Sequence, residues 1–351
     1  MAKCVLIVQG EGRGHMSQSM ALTEYLEEAG YTVEAVYVGC GIRESIPGYF
    51  GEFFKERLKL FYSPYFLRTP NKKGIYVGRT LLFNLVWSMR YLREMRRIRS
   101  EINALEPDVV FNFYDVVGAL ALKGVKPGIK RVGIGHHFFL HLIGYRCNRG
   151  SAWHRWLLKM HTTLVMKSCD RVLALSFREL KGDSSIDVVP PLVRRNFREI
   201  THQSGDRFLV YLLNEGYIFD LIRLSREDPD FQADVFTTLS PEISLPPGIC
   251  IHPLNDERFR EMMAACKGLI TTSGFDTVAE AAYLGIPLVV VPSQHHFEQR
   301  CNAADVERSG IGIAVEQVVP GIQYEMKTFD YHAYRQWVDQ AGDRILKYLK
   351  E

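Results

Sequence analysis

Short apolar runs rich in β-branched residues recur through this chain, and the stretches between most of them carry helical spacing. Val5–Val8 ends in a glycine turn, Met20, Leu22 and Tyr25-Leu26 follow at the spacing of one helix face, and Thr32–Val38 reads as a second strand. Val109–Phe113, Arg131–Ile134 and Arg171–Ala174 continue the alternation. Val188–Arg195 closes it with Pro190-Pro191, a pair that stiffens and extends the backbone into a connector. A second series runs through Phe208–Leu213, Ala233–Phe236, Ile249–Ile251, Gly268–Thr271 and Pro287–Val291. Two such series predict an α/β protein of two doubly wound, Rossmann-like domains facing a central cleft, at residues 1–198 and 199–330. A last helix, roughly Tyr331–Leu349 within 331–351, is free to pack on either domain, the first included. No low-complexity segment or short-period repeat interrupts this order.

The bulk composition narrows the function classes. The 351 residues exceed one average domain, and 47% hydrophobic with 24% charged residues is the make-up of an ordinary folded protein rather than a disordered one. A net charge of +3 gives no argument for a nucleic-acid partner. The seven cysteines (Cys4, Cys40, Cys147, Cys169, Cys250, Cys266, Cys301) are odd in number and contain no CxxC, which favours reduced thiols over disulfides or a zinc site. The N-terminal apolar run is too short for a signal peptide, and no stretch is long enough to span a bilayer. The expectation is a cytoplasmic protein, with peripheral contact at the inner face of the membrane left open.

The segment Thr271–Ala303 carries the most chemistry. A small-residue turn, Ser273-Gly274, opens a helix, and such a turn suits a phosphate because free backbone N–H groups and the helix dipole converge on the anion. Glu280, further into the helix, can accept two hydrogen bonds from a ribose diol. After the strand ending at Pro292, the acidic-amide pair Glu298-Gln299 can hold a further polyhydroxylated group. Phosphate, ribose and sugar in that order describe a nucleotide-sugar. The ordered elements Ser273-Gly274, Thr277, Ala279-Glu280, Gly285-Ile286-Pro287, Val291-Pro292, Glu298-Gln299 and Asn302-Ala303 closely resemble those of the GT-B glycosyltransferases, in particular the MurG-type and plant-type UDP-glycosyltransferases.

That resemblance implies a GT-B fold and donor contacts by Ser273, Gly274 and Thr277 on the diphosphate, Glu280 on the ribose, and Glu298 with Gln299 on the sugar. Two positions depart from the pattern. Asp276 places a carboxylate in the phosphate turn, either as a helix N-terminal charge turned away from the ligand or as a group that repels it. Thr272 stands where many relatives have His or Arg. Thr272 is also where retaining members carry the first of two glutamates, the second matching Glu280, and its presence argues for inversion.

Near the N-terminus, Gln9-Gly10-Glu11-Gly12-Arg13-Gly14-His15 is neither a Walker loop nor a dinucleotide fingerprint. In the family resembled, a Gly-His at this place lies in the cleft, and in plant-type members the histidine is the general base. His15 has the proton affinity for that role, Gly14 permits close approach to the donor, and Asp115 is the candidate to orient the base. A helix cap or phosphate contact remains open for His15, an ordinary N-cap before Val116–Leu122 for Asp115, and Glu11 is an alternative base. His136 and His137 are acceptor-side candidates; with no third ligand at suitable spacing they do not read as a metal site, and no essential metal or other cofactor is expected.

The loop after Ile249–Ile251, with His252, Pro253 and Leu254, is the expected nucleobase platform. Uridine follows from the resemblance alone. Tyr76–Arg99 sets Leu81, Leu82, Phe83, Leu85, Val86 and Trp87 beside clustered arginines, and Trp153, Trp156 and Leu157 lie near Arg155 and Lys159. This composition suits an anionic membrane surface or a lipid-linked acceptor as well as a core-facing helix with a solvated basic end. The leading expectation is an inverting, metal-independent glycosyltransferase that moves a sugar from a nucleotide-sugar, by the resemblance a UDP-sugar, to a hydroxyl of an acceptor that is either lipid-linked or a glycan. The alternatives are a nucleotide-sugar 2-epimerase and a catalytically silent sugar-nucleotide-binding subunit.

Overall fold

The computed structural model describes residues 2–11, 13–41, 46–67, 76–142, 151–212, 215–237, 244–293, 296–319, 321 and 328–350; Gly12, Cys147 and Leu213 lie outside them. Two separate sheets form. The first contains β1 (Lys3–Gln9), β2 (Thr32–Cys40), β3 (Leu58–Tyr62), β4 (Val109–Phe113), β5 (Lys130–Gly135), β6 (Arg171–Leu175) and β7 (Asp187–Val189). The second contains β8 (Phe208–Tyr211), β9 (Ala233–Phe236), β10 (Ile249–His252), β11 (Gly268–Thr271), β12 (Leu288–Val290) and β13 (Ile313–Ala314).

Every pairing is parallel, in the orders β3-β2-β1-β4-β5-β6-β7 and β10-β9-β8-β11-β12-β13. In each sheet the order reverses beside its first strand, and crossover connections diverge there, leaving a crevice at the carboxyl ends. Four segments leave from those reversal points: α1 (Gly14–Glu28) after β1, Tyr114-Asp115 after β4, the chain after Tyr211 at the end of β8, and the turn after Thr271 on β11.

Central parallel strands are covered on both faces, and Cys4–Val8 of β1 are fully buried accordingly. On one face, α2 (Gly48–Phe54) and α1 pack Phe50, Phe54, Leu22 and Leu26 into the core. On the other, α4 (Ser88–Leu105), which follows α3 (Val77–Val86), buries Ile98 and Ile102 against Val5, Ile7 and Val110, beside α5 (Val116–Leu122). The strands β3, β7 and β13 were not expected. β3 is an edge strand whose Lys59 and exposed Leu60 give it no continuous apolar signature, and β13 has two residues.

The Pro190-Pro191 connector is buried rather than solvated. After α6 (Ala152–Met166), β6 and β7, the chain from Pro190 to Arg194 runs below the surface before the short α7 (Arg195–Arg198). Apolar packing is continuous across the junction, from Leu6 and Met20 through Leu192 and Val193 to Phe275, Val278, Leu269 and Val290. Between the strands of the second sheet lie α8 (Ile218–Glu227), α9 (Asp256–Ala264), α10 (Phe275–Tyr283) and α11 (Phe297–Ser309).

The expected last helix is two helices, α12 (Tyr331–Val338) and α13 (Ala341–Lys350), and together they touch both halves. Asp339, just past α12, accepts from Tyr283 Oη on α10 at 2.9 Å, whereas Gly342 of α13 packs on Tyr25 of α1. Trp337 buries its ring near Val188 and donates from Nε1 to Ser176 O at 2.8 Å. Trp337→Ala therefore removes a large buried ring and its hydrogen bond. It is expected to lower unfolding free energy in urea by about 3 kcal/mol.

Candidate active site

The turn after β11 is held from behind by the residues that make the sequence motif distinctive. Asn302 Nδ2 on α11 donates to Ser273 O at 2.9 Å, Ser273 Oγ donates to Gln299 O at 2.6 Å, and the Ser293 N–H donates to Gln299 Oε1 at 2.7 Å. Ser273 is fully buried with its hydroxyl turned inward. Its side chain braces the turn and does not line the cavity, although Ser273 is one of the three residues expected to contact the diphosphate. Gly274, Asp276 and Thr277 do line it, and Gly274 caps α10 without a side-chain hydrogen bond. The N-terminus of a nine-residue helix is thus presented to a cavity of about 170 Å³.

Opposite this turn, His15 stands in the first turn of α1, half-buried and lining the same cavity with His136, His137, Glu298 and Gln299. Its ring lies near Tyr114 (centroids 6.0 Å, 23° between planes), and Tyr114 stacks at 4.8 Å on His161 of α6. Tyr114 is a non-glycine residue at φ +64°, a left-handed conformation that places its ring among three histidines, with His137 at 4.9 Å. Desolvation at the cavity wall pushes the His15 imidazole down to about 4, partly offset by the Glu298 charge. His15 is therefore neutral at physiological pH, the form a proton acceptor needs.

Glu298 is surrounded by histidines. Burial alone would raise its carboxyl, but His137, with Nε2 3.1 Å from Oε1, and then His296 and His15 hold it well below the usual carboxylate range. The acceptor-side candidate His137 and the donor-side candidate Glu298 are thus one unit that spans the two halves. His136 is more fully committed. Its Nδ1 faces Leu175 O at 2.8 Å, its Nε2 lies 3.0 Å from Asp305 Oδ2 on α11, and its ring packs on Phe275 at 4.5 Å. It pins the halves together at the cavity wall. Among the described residues, no group of three or more His, Cys, Asp or Glu has the geometry to hold a metal ion.

Asp115 is not placed to orient His15. It caps α5, with Oδ1 accepting from the Gly118 N–H at 2.7 Å and Oδ2 from Ser63 Oγ at 2.5 Å, while the Asn112 side chain bridges its backbone N–H and C=O. Burial raises its carboxyl to about 6 despite these bonds. The partner of His15 Nδ1 is instead Gln18 Oε1, 3.3 Å away. Gln18 had no signal in the sequence beyond its place one turn along the helix from His15.

Glu280 is buried and already paired. Arg194, on the buried connector, reaches Glu280 Oε1 through Nε at 3.1 Å and both Asp256 oxygens through Nη1 at 3.0 Å. Burial raises the Glu280 carboxyl to about 7, with Arg194 opposing. Arg194 and Glu280 border a second cavity of about 60 Å³ with Tyr49, Tyr211, Phe236 and Phe259. Pro253, expected in a nucleobase platform, is exposed and outside both cavities; its neighbours Leu254 and Asn255 line the second one. His252 bonds Asp234 at 2.8 Å.

Asp276 sits 7% exposed in the first turn of α10, and Gln18 Nε2 donates to its Oδ2 at 3.2 Å. Burial raises its carboxyl from 3.8 to about 7, with the Gln18 hydrogen bond and Arg194 opposing. Between those pH values the folded chain keeps a proton that the unfolded chain has lost, so the residue weakens the fold as pH rises from about 4 to about 7. Asp276→Asn removes the cost. Its unfolding free energy is expected to match the native protein's near pH 4 and to exceed it by about 2–4 kcal/mol at pH 8, at about 1.4 kcal/mol per unit, in urea titrations at the two pH values.

Comparison with known proteins agrees with this architecture. The family model described as "Glycosyl transferase family 1" matches residues 2–326. An uncharacterized glycosyltransferase of Methanosarcina acetivorans is 24% identical over 341 residues, covering 88% of this chain and 82% of that one. The UDP-N-acetylglucosamine–N-acetylmuramyl-(pentapeptide) pyrophosphoryl-undecaprenol N-acetylglucosamine transferase of Lactobacillus delbrueckii subsp. bulgaricus is 22% identical, covering 99% of this chain and 98% of that one. Among solved structures, Phytolacca americana UGT2 complexed with UDP-2fluoro-glucose and pterostilbene has a TM-score of 0.66 at 11% identity over the full length of both chains. Acinetobacter baumannii MurG has 0.57 at 13% identity over 99% of each. These likenesses confirm the GT-B arrangement of two Rossmann-like domains. With the family model spanning nearly the whole chain, this protein belongs to glycosyl transferase family 1 and is a glycosyltransferase.

Proposed function

We propose that the chain is an inverting glycosyltransferase that moves a sugar from a UDP-sugar to an acceptor hydroxyl, with donor recognition in residues 199–330 and acceptor recognition in 1–198. The observation that carries this reading is the position of His15, a neutral imidazole across a cavity of about 170 Å³ from the uncapped N-terminus of α10. The diphosphate lies on that N-terminus at Gly274 and Thr277, the ribose on Glu280, the sugar on Glu298 and Gln299. His15 takes the proton of the acceptor hydroxyl as its oxygen attacks the anomeric carbon and the bond to the diphosphate breaks. The helix N-terminus stabilises the departing charge, so the scheme needs no metal. Thr272, which lines the cavity where a retaining enzyme would carry a glutamate, supports single displacement.

Two further features bear on the acceptor. The Lactobacillus relative's name specifies a pyrophosphoryl-undecaprenol substrate. Here α3 exposes Leu82, Leu85 and Val86, and α6 exposes Trp153 and Trp156. We infer an acceptor on a lipid carrier and peripheral attachment to the cytoplasmic face of the membrane; among the described residues no helix is long and apolar enough to cross one.

A screen of nucleotide-sugars by thermal unfolding tests the donor, since a ligand at 100 times its Kd stabilises by ~2.7 kcal/mol. His15→Ala is expected to lower kcat by about 10²–10⁴-fold with donor binding retained. Unchanged turnover would remove His15 as the base, and epimer formation without any acceptor would remove the transferase reading. Leu82→Glu with Leu85→Glu is expected to abolish co-sedimentation with phosphatidylglycerol vesicles without lowering the unfolding temperature.

A further inference from the structure

Three residues connect the base to the opposite half of the molecule. His15 Nδ1 lies 3.3 Å from Gln18 Oε1, and Gln18 Nε2 donates to Asp276 Oδ2 at 3.2 Å. Gln18 is 1% exposed, and 258 residues separate it from Asp276. The approach depends on Gly14: a Cβ there would fall 2.3 Å from Asp276 Oδ2. Asp115, the residue expected to orient the base, is occupied by Gly118 and Ser63.

We propose that Asp276 is the positioning residue of His15, acting through Gln18 across the seam. This rests on the reading of His15 as the base. A primary amide has one accepting and one donating end, and a carboxylate, the form Asp276 takes above neutral pH, only accepts. Asp276 therefore turns the Gln18 amide so that Nε2 faces the carboxylate and Oε1 faces His15. An oxygen at that place accepts from Nδ1–H, which fixes the proton on Nδ1 and leaves the lone pair on Nε2. With the amide reversed, Nδ1 becomes the acceptor, the proton moves to Nε2, and that nitrogen loses its capacity as a base. Asp276 stands in the donor turn while setting the tautomer of the base. The carboxylate that departs from the family pattern in a phosphate site thereby has a function.

The test uses the full-length chain carrying Gln18→Glu, Asp276→Asn, or both. Gln18→Glu alone sets two carboxylates against each other. Asp276→Asn alone leaves the Gln18 amide facing a group that can donate or accept, so its sense is no longer dictated. The double variant restores the relay with its identities exchanged. The carboxylate introduced at position 18 then accepts from His15 Nδ1–H on one side and from the amide introduced at position 276 on the other. Imidazole ¹⁵N shifts of ligand-free protein at pH 7.5 are expected to show Nδ1–H in the native chain, mixed tautomers in Asp276→Asn, and Nδ1–H again in the double variant. At saturating donor, kcat is expected to fall at least 10-fold in each single variant and to return to within about 3-fold in the double. A residue that only faces the donor would change the donor KM and leave kcat and the tautomer alone. Gly14→Ala, which displaces Asp276 without removing it, is expected to reproduce the mixed tautomers and serves if either single variant does not fold.

An unchanged tautomer in Asp276→Asn, or a double variant no better than the singles, overturns the relay. Full turnover in His15→Ala with the tautomer pattern as expected would instead overturn the reading of His15 as base and leave the hydrogen-bonded chain standing.

Discussion

A guanidinium enclosed between two carboxylates sets the relation of the two halves. Arg194 is 3% exposed, and it bonds Glu280 and Asp256 from a connector that is itself buried. Taking such charges out of water costs several kcal/mol per ion, recovered only when geometry and hydrogen bonding are nearly complete. Opening the seam would leave an uncompensated cation on one side and two acidic groups on the other. The apolar core continuous from β1 to β12 resists the same opening. The side chains that meet at the cavity therefore meet in a defined register.

The sheet topology determines which side chains those are. Two parallel sheets with order reversals beside β1 and β8 each have a crevice at their carboxyl ends, and residues leaving from both line one cavity. Much of the site leaves from strand ends: His15 after β1, Tyr114 after β4, His136 and His137 after β5, Tyr211 on β8, Asp276 after β11 and Glu298 after β12, while Arg194 comes from the connector. The strained backbone at Tyr114 and the desolvation of His15, Glu280 and Asp276 follow from packing these termini together.

The alternation of apolar runs made both sheets legible, because buried parallel strands are short and β-branched and the helices between them keep their period. The edge strands β3 and β13 escaped because an edge need not be apolar on both faces. The turn after β11 and its bracing contacts were legible as one unit because the parts lie within about thirty residues. Even there, sequence could not tell a residue that holds the turn from one that faces the cavity, and Ser273 belongs to the first kind. Gln18 and Arg194 were not legible. Their partners lie 258 and 86 residues away, and no local spacing signals a contact that exists only once two domains have closed. Asp115 shows the converse: its position at a strand end suited two roles, and only the Ser63 and Gly118 contacts decide for the cap.

The carboxyl contacts across the seam have a consequence for affinity. Glu280 is held by Arg194, and Glu298 by His137, through bonds the folded chain makes with itself. A ligand that hydrogen-bonds either carboxylate enters by exchange, replacing or sharing a bond the protein already makes, so its measured affinity reports the difference between two occupancies of the same oxygens. A poor ligand is thereby penalised twice, once for the contacts it fails to make and once for those it disrupts. The resting molecule acts as a competitor for its own site, and selectivity arises without any group whose purpose is to exclude.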